Sequence, residues 1–166
     1  MQTYTRRDAF GLMLARLTAT GLAASALSGC GNRGSADAVT SRAGLYPNET
    51  PDLRRLIVQY AGAYEVPVSL VQRVVVRESQ HIPGARNGPY YGLMQILPQT
   101  AQTMGYRGSP QGLLDAETNL KYAVKYLRGA WLLSNGSEDR AVSWYAKGYY
   151  YEAKRRGMLE ETGLLA

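Results

Sequence analysis

The chain has 166 residues, 45% of them hydrophobic, and a formal net charge of +6, which suits one modest globular domain with short additions. One cysteine, Cys30, and one histidine, His81, exclude an internal disulfide and a Cys/His metal site, and a Ser-His-Asp triad would have to use His81. The basic balance favours a polyanion as partner without choosing between nucleic acid, anionic lipid and another polymer.

In chain order, the first 29 residues read as an export signal. MQTYTRRDAF carries Arg6 and Arg7, GLMLARLTATGLAASA is apolar, and LSGC follows, the pattern of a secretory signal. Paired arginines mark twin-arginine export. An ordinary Sec signal is the alternative, because Phe10 sits one place late and Arg16 breaks the apolar run. Leu27-Ser28-Gly29-Cys30 resembles the bacterial lipobox, whose cysteine is acylated and begins the mature chain. A chance small-residue run ending in an unused cysteine is the other reading; the position directly after an export signal favours lipidation. The apolar stretch is too short and too interrupted for a good transmembrane helix. Without residues 1–29, three basic residues and one acidic one are gone and the charge falls to +4. The expectation is an exported protein, lipid-anchored through Cys30 on the periplasmic face of the envelope, at the outer membrane. Its partners are then envelope polymers and the membrane, with no nucleic acid.

Residues 30–50 are rich in Gly, Ser, Ala, Asn and Thr and read as a flexible tether. Pro51-Asp52 opens a helical pattern with Leu53, Leu56, Ile57, Tyr60, Ala61 and Tyr64 at three- and four-residue spacing. Glu65-Val66-Pro67 ends it. A second helix starts near Ser69, with Leu70, Val71, Val74 and Val75 inward and Glu78 near its end. Residues 80–97 are dense in Pro, Gly and Asn and look irregular. Pro98 begins a short helix through Met104, and GYRGSPQG forms a second loop. The longest helix follows Asp115, with Leu120, Ala123, Val124, Leu127, Trp131 and Leu132 on one side. Gly136 stops it, Ser137 caps a helix over 138–147, and a Tyr-rich helical segment ends the domain. No alternating strand pattern of useful length is present. The class is mainly α, one domain over 51–166.

From Ser79 to Leu114 there is no Asp or Glu, although the loops best able to build a cleft lie there. Glu78 is the only local carboxylate, with valines in the preceding turn. Desolvation would favour its neutral form, and an acid held near neutral pKa is what protonation of a glycosidic oxygen requires. Arg73 and Arg77 would oppose this if close, and adjacent residues on a helix point apart, so Arg77 is expected to face away. An ordinary solvated helix end remains the competing reading at this point.

Gly92-Leu93-Met94-Gln95 follows Glu78 by fourteen residues. Together with VPVSLVQRVVVRESQHIPGA, LLDAETNLKYAVKYLRG and AVSWYAKGYYYEA, it gives residues 52–157 a strong resemblance to the lysozyme-like lytic transglycosylases of the SLT family. The resemblance implies a lysozyme-like, goose-type helical domain acting on peptidoglycan without cofactor or metal. It implies Glu78 as the catalytic acid/base. Ser79 would help orient the cleft, Gly92 would let the backbone approach the sugar, and Met94 would line the cleft. Gln95 would hydrogen-bond saccharide groups and Tyr145 would approach Glu78. Leu93 reads as core. His81 has no family role and reads as a surface or loop-packing residue. Where the family has Ala-Tyr-Asn-Ala-Gly, this chain has Trp144-Tyr145-Ala146-Lys147-Gly148, so the family asparagine is replaced by Ala146. Of Tyr149, Tyr150 and Tyr151, at least one is expected in the core, because three consecutive helical residues cannot share a face.

A glycosidase of the two-carboxylate kind needs a second carboxylate about 5 Å from the acid, or about 6.5–9.5 Å away for inversion; only Asp115 and Glu117 are near in sequence. A transglycosylase needs one, because the muramic C6 hydroxyl is the nucleophile. Two other readings stand beside it: a goose-type muramidase releasing reducing ends, and a non-catalytic wall-binding lipoprotein, supported mainly by Ala146.

Overall fold

The computed structural model describes residues 44–165. The export signal, Cys30 and most of the tether lie outside the described residues. The architecture is six helices with one short hairpin: α1 (Pro51–Ala63), α2 (Val68–Ser79), β1 (Arg86–Asn87), β2 (Tyr90–Tyr91), α3 (Pro98–Thr103), a 3-10 turn (Pro110–Leu114), α4 (Ala116–Leu133), α5 (Glu138–Lys147) and α6 (Tyr150–Arg156). No described helix is long and apolar enough to cross a membrane.

Local chemistry sets the ends. The Thr50 hydroxyl accepts from the Leu53 N–H at 3.1 Å, and Pro51 occupies the first turn of α1, where its missing N–H is no loss. Asp115 caps α4 by accepting from the Thr118 N–H at 2.8 Å. Ser137 caps α5 with Glu138 and Asp139 in the first turn, where carboxylates complement the positive end of the helix dipole. Gly157, at φ 69°, closes α6 in the left-handed conformation that glycine adopts without strain.

Helix α4 is the axis of the domain, packed by α1, α3, α5 and the 3-10 turn, while α2 lies against α1 and α5. Leu70, Val71, Val74 and Val75 of α2 are completely buried, as are Leu120, Ala123, Val124 and Leu127 of α4. Full burial of a Val or Leu side chain contributes about 1.5–3 kcal/mol, so the apolar stripes hold both helices in register. The inward face of α4 turns at its end: Ala130 and Leu133 are buried, whereas Trp131 and Leu132, expected there, are half-exposed. The stripe read as i, i+4 at Leu127–Trp131 proceeds as i, i+3 to Ala130 and Leu133, which keeps it centred on a 3.6-residue turn.

Three other expectations need correction. The domain begins before residue 51: Glu49 is only 7% exposed, and residues 44–50 pack onto α1 and α2 through hydrogen bonds described below. Residues 80–97 are not wholly irregular, since Arg86–Asn87 pairs antiparallel with Tyr90–Tyr91 around Gly88 at φ 58°. Strands of two residues are too short to show alternation. The loop after α3 closes with the 3-10 turn, which likewise leaves no helical period in so few residues.

Candidate active site

Glu78 occupies the penultimate position of α2, where the helix points its last turn at the hairpin. With Arg77, Asn87, Tyr90, Gln95, Tyr145 and Ala146 it lines a depression of about 350 Å³. Burial against the apolar turn raises its pKa above the ordinary carboxylate value, and the Arg77 charge opposes the rise. Arg77 does not face away: its Nε lies 3.5 Å from Glu78 Oε1. The two Cβ atoms do point to different sides of the helix, but the arginine side chain is long enough to bring its guanidinium to the neighbouring carboxylate. The pair is partly exposed, so its attraction is weak, and burial wins.

Among the described residues, no second carboxylate lines this depression or the two that adjoin it around Gln95. Asp115 is held in the cap of α4. Glu117 accepts from the Tyr60 hydroxyl at 2.9 Å. Ser79 is buried, and its hydroxyl donates to the Val75 carbonyl at 3.3 Å. The hydroxyl is thus engaged along its own helix, while Ser79 borders the adjoining depression with Glu78 and Gln95, and the left-handed Gln80 closes the helix.

Facing Glu78 is the turn formed by Gly92 to Ile96. Its geometry depends on Asn119, a completely buried side chain on α4. The Asn119 amide donates to the Tyr91 and Leu113 carbonyls, both at 2.8 Å, and its oxygen accepts from the Met94 N–H at 2.9 Å. Gly92 sits at φ 73°, and a Cβ there would lie 2.3 Å from both Asn119 Nδ2 and the Leu113 carbonyl oxygen. The glycine thus admits Asn119. Met94 does not line the cleft with its side chain as expected. Its side chain is fully buried with Leu93, and it serves the site through its main chain, whose carbonyl accepts from the Tyr145 hydroxyl at 2.8 Å.

Gln95 enters the cleft in a left-handed conformation, φ 48°. Its amide nitrogen donates to the Ala85 and Gly92 carbonyls at 3.1 and 2.8 Å. Two carbonyl partners fix which end is nitrogen. The oxygen Oε1 is left buried with no partner, although Gln95 borders all three depressions around it. A buried acceptor without a donor costs about 1–3 kcal/mol, and the amide donors of Gln95 are already occupied.

Tyr145 forms the third wall. It is 8% exposed, and burial followed by the Glu78 charge pushes its phenol well above its usual pKa. Neutral at physiological pH, it anchors α5 to the turn through Met94. Tyr126 tilts against it at 5.4 Å and stacks on Tyr149 at 4.7 Å. Ala146, exposed beside Tyr145, borders the cleft where the family asparagine would sit, and its methyl group offers no hydrogen bond.

Two groups gave no signal in the sequence. Asn119 falls in the fourth position of α4, and only its burial shows what it does. The second group lies behind Glu78. His81 is 1% exposed, within the loop-packing expectation but far more enclosed than a surface residue. Its Nε2 lies 2.7 Å from Gln72 Oε1, and its ring stacks on Tyr46 at 5.2 Å. Glu49 accepts from Gln72 Nε2 at 2.7 Å, from Arg54 at 2.6 Å and from the Tyr46 N–H at 2.9 Å. Asn48 donates to the Gln80 carbonyl at 3.1 Å. Burial alone would raise the Glu49 pKa, but these hydrogen bonds and the Arg54 charge outweigh it and hold the carboxylate below its usual range. Burial keeps His81 below its usual pKa against the pull of Glu49, so the ring is neutral and donates from Nε2 to Gln72. The signal available in sequence was a lone glutamate, glutamine and histidine, which has no period.

No curated protein and no solved structure matches the chain. The family model described as "Transglycosylase SLT domain" matches residues 55–157, more than half of the chain, and carries with it lytic transglycosylase-type activity on peptidoglycan at the level of the family. With its mainly helical fold and its glutamate-bearing cleft, the chain belongs to the transglycosylase SLT domain family.

Proposed function

We propose that the chain is a lytic transglycosylase cutting the β-1,4 bond between N-acetylmuramic acid and N-acetylglucosamine, with Glu78 as its one acid/base. The observation that supports this most directly is the solitary, burial-raised carboxylate: among the described residues no other acid borders the cleft, and Asp115 and Glu117 are occupied elsewhere. In the neutral form Glu78 protonates the glycosidic oxygen and the C1–O bond breaks. The N-acetyl carbonyl stabilises the positive C1. Glu78, now a carboxylate, removes the proton from the muramic C6 hydroxyl, whose oxygen closes on C1. The proton is returned to Glu78 and a 1,6-anhydro ring is formed. An intramolecular nucleophile needs no second carboxylate to activate water and loses little entropy on attack. Gln95 would contact the sugar from the wall of the depression it lines with Glu78, and Tyr145 would keep the turn and α5 at a fixed distance from Glu78.

Product mass spectrometry on purified sacculi tests the reaction. Anhydro-muropeptides support it; reducing ends heavier by one water would establish a muramidase, and binding without turnover a wall-binding protein. We also propose that Cys30 carries the lipid that anchors the enzyme to the periplasmic face of the outer membrane. Cys30→Ala should then move the protein from the membrane to the soluble fraction, and a membrane-bound variant would contradict the anchor.

A further inference from the structure

We propose that Trp144, Tyr150 and Tyr151 form an aromatic shelf that binds further pyranose rings of the glycan strand leaving the cleft. The inference rests on the saccharide reading of the cleft. Gly148, at φ 82° and ψ 151°, breaks α5 one residue after its end, and α6 restarts at Tyr150. This break turns the tyrosine run so that its members separate. Tyr149 goes inward, 1% exposed, with its hydroxyl donating to the Tyr126 carbonyl at 2.8 Å. It lies against Gly129, where a Cβ would meet its hydroxyl at 2.2 Å. Tyr150 and Tyr151 stay outside, 46% and 84% exposed, packed edge to face at 5.4 Å.

These two rings and Trp144 line a largely apolar depression of about 490 Å³. It shares Lys147 and Gly148 with the depression that contains Gln95, Tyr145 and Ala146. A strand passing Glu78 and Tyr145 therefore meets Lys147 and then the aromatic rings. The chemistry suits a sugar. Pyranose rings present C–H faces that lie on aromatic faces, and the hydroxyl and acetamido groups at their edges need polar partners. Lys147, with its ammonium 4.1 Å from the Trp144 ring centroid, and the Glu152–Arg155 pair supply these at the rim. Exposed aromatic clusters rimmed by polar groups mark binding surfaces, and continuity with the cleft favours the strand over a protein partner.

The test uses the mature chain carrying Glu78→Gln, so that ligand survives, and β-1,4-linked N-acetylglucosamine oligomers of increasing length in calorimetry. Affinity should continue to rise with length beyond what the cleft accommodates. Tyr151→Ala, at a site too exposed to disturb folding, and Trp144→Ala should remove about tenfold of that gain, and Tyr151→Phe should retain it. Short oligomers that bind while longer ones add nothing would overturn the shelf alone. Failure of every length to bind would overturn the shelf and the cleft reading together. A Tyr151→Ala protein with unchanged length dependence but altered association with another protein in sedimentation would make the shelf a protein-docking surface and overturn the proposal. Turnover persisting in Glu78→Gln would contradict the catalytic reading while leaving the length dependence to decide the shelf.

Discussion

Two of the three walls of the cleft are fastened by different chemistry. The Gly92–Ile96 turn is held by Asn119, one neutral amide making three hydrogen bonds inside the domain. The end of α2, which carries Glu78, is backed by an ionic cluster of Glu49, Arg54, Gln72 and His81. Asn119 lies within the residues matched to the family, whereas Glu49, Arg54 and Tyr46 lie just before them. A neutral amide is satisfied at any pH. The ionic cluster is satisfied only while Glu49 is charged and His81 neutral. The turn is therefore fixed unconditionally, and the glutamate wall conditionally.

Asn119→Ala should have the largest effect on stability. It strands the Met94 N–H and the Tyr91 and Leu113 carbonyls, each costing about 1–3 kcal/mol, so a loss of about 3 kcal/mol or more is expected in urea denaturation at every pH. Gly92→Ala should approach it, because the new methyl group displaces the same amide and the backbone is left-handed. Wild-type stability after Gly92→Ala would break the account of the turn.

Glu49→Gln should cost less, about 2–3 kcal/mol near pH 7, since the Arg54 head is 19% exposed and can turn to water. This loss should depend on pH, and the signs of the two titrations agree. The folded state keeps His81 deprotonated below its usual 6.5, so the unfolded chain binds the extra proton and stability falls as pH drops through that value. Glu49 is depressed below its usual 4.5, so its contribution is present above that value and is lost as pH falls further. Denaturation midpoints measured between pH 7 and 3 should converge for wild type and Glu49→Gln in acid. Parallel curves would contradict the ionic role.

Glu78 behaves oppositely. Its raised pKa means that the folded state binds the extra proton, so stability declines as pH rises through the folded pKa. Glu78→Gln should raise the melting temperature slightly at neutral pH and leave it unchanged in acid, while a lower melting temperature at neutral pH would show the carboxylate to be structural. The smallest effect is expected from Ala146→Asn on the exposed rim, a change in turnover of less than about tenfold with unaltered stability, because it adds one hydrogen-bonding group at an open wall.

Apolar period made the helices legible. The spans of α1 and α5 begin and end within a residue or two of where the stripe, Pro51, Ser137 and Glu65-Val66-Pro67 put them, because each signal is local. Glu78 was legible for a different reason: thirty-five acid-free residues follow Ser79, and a missing residue type can be read without coordinates. The inward side chain of Met94 was not legible, because a motif shows where a residue falls in the chain and not which way it faces. Asn119 reaches Met94 and Tyr91 across 25 and 28 residues of chain and Glu49 reaches Gln72 across 23, and single buried polar residues such as these and His81 have no period to betray them. Arg77 was misread because side-chain length overrode Cβ direction.

The central claim is that one carboxylate performs both proton transfers. It is tested most directly by the rate at which anhydro-muropeptides are released from sacculi by Glu78→Gln relative to wild type. The account predicts a fall of about 10³-fold or more, to the limit of detection, in a protein that remains folded. Release at the wild-type rate would contradict it.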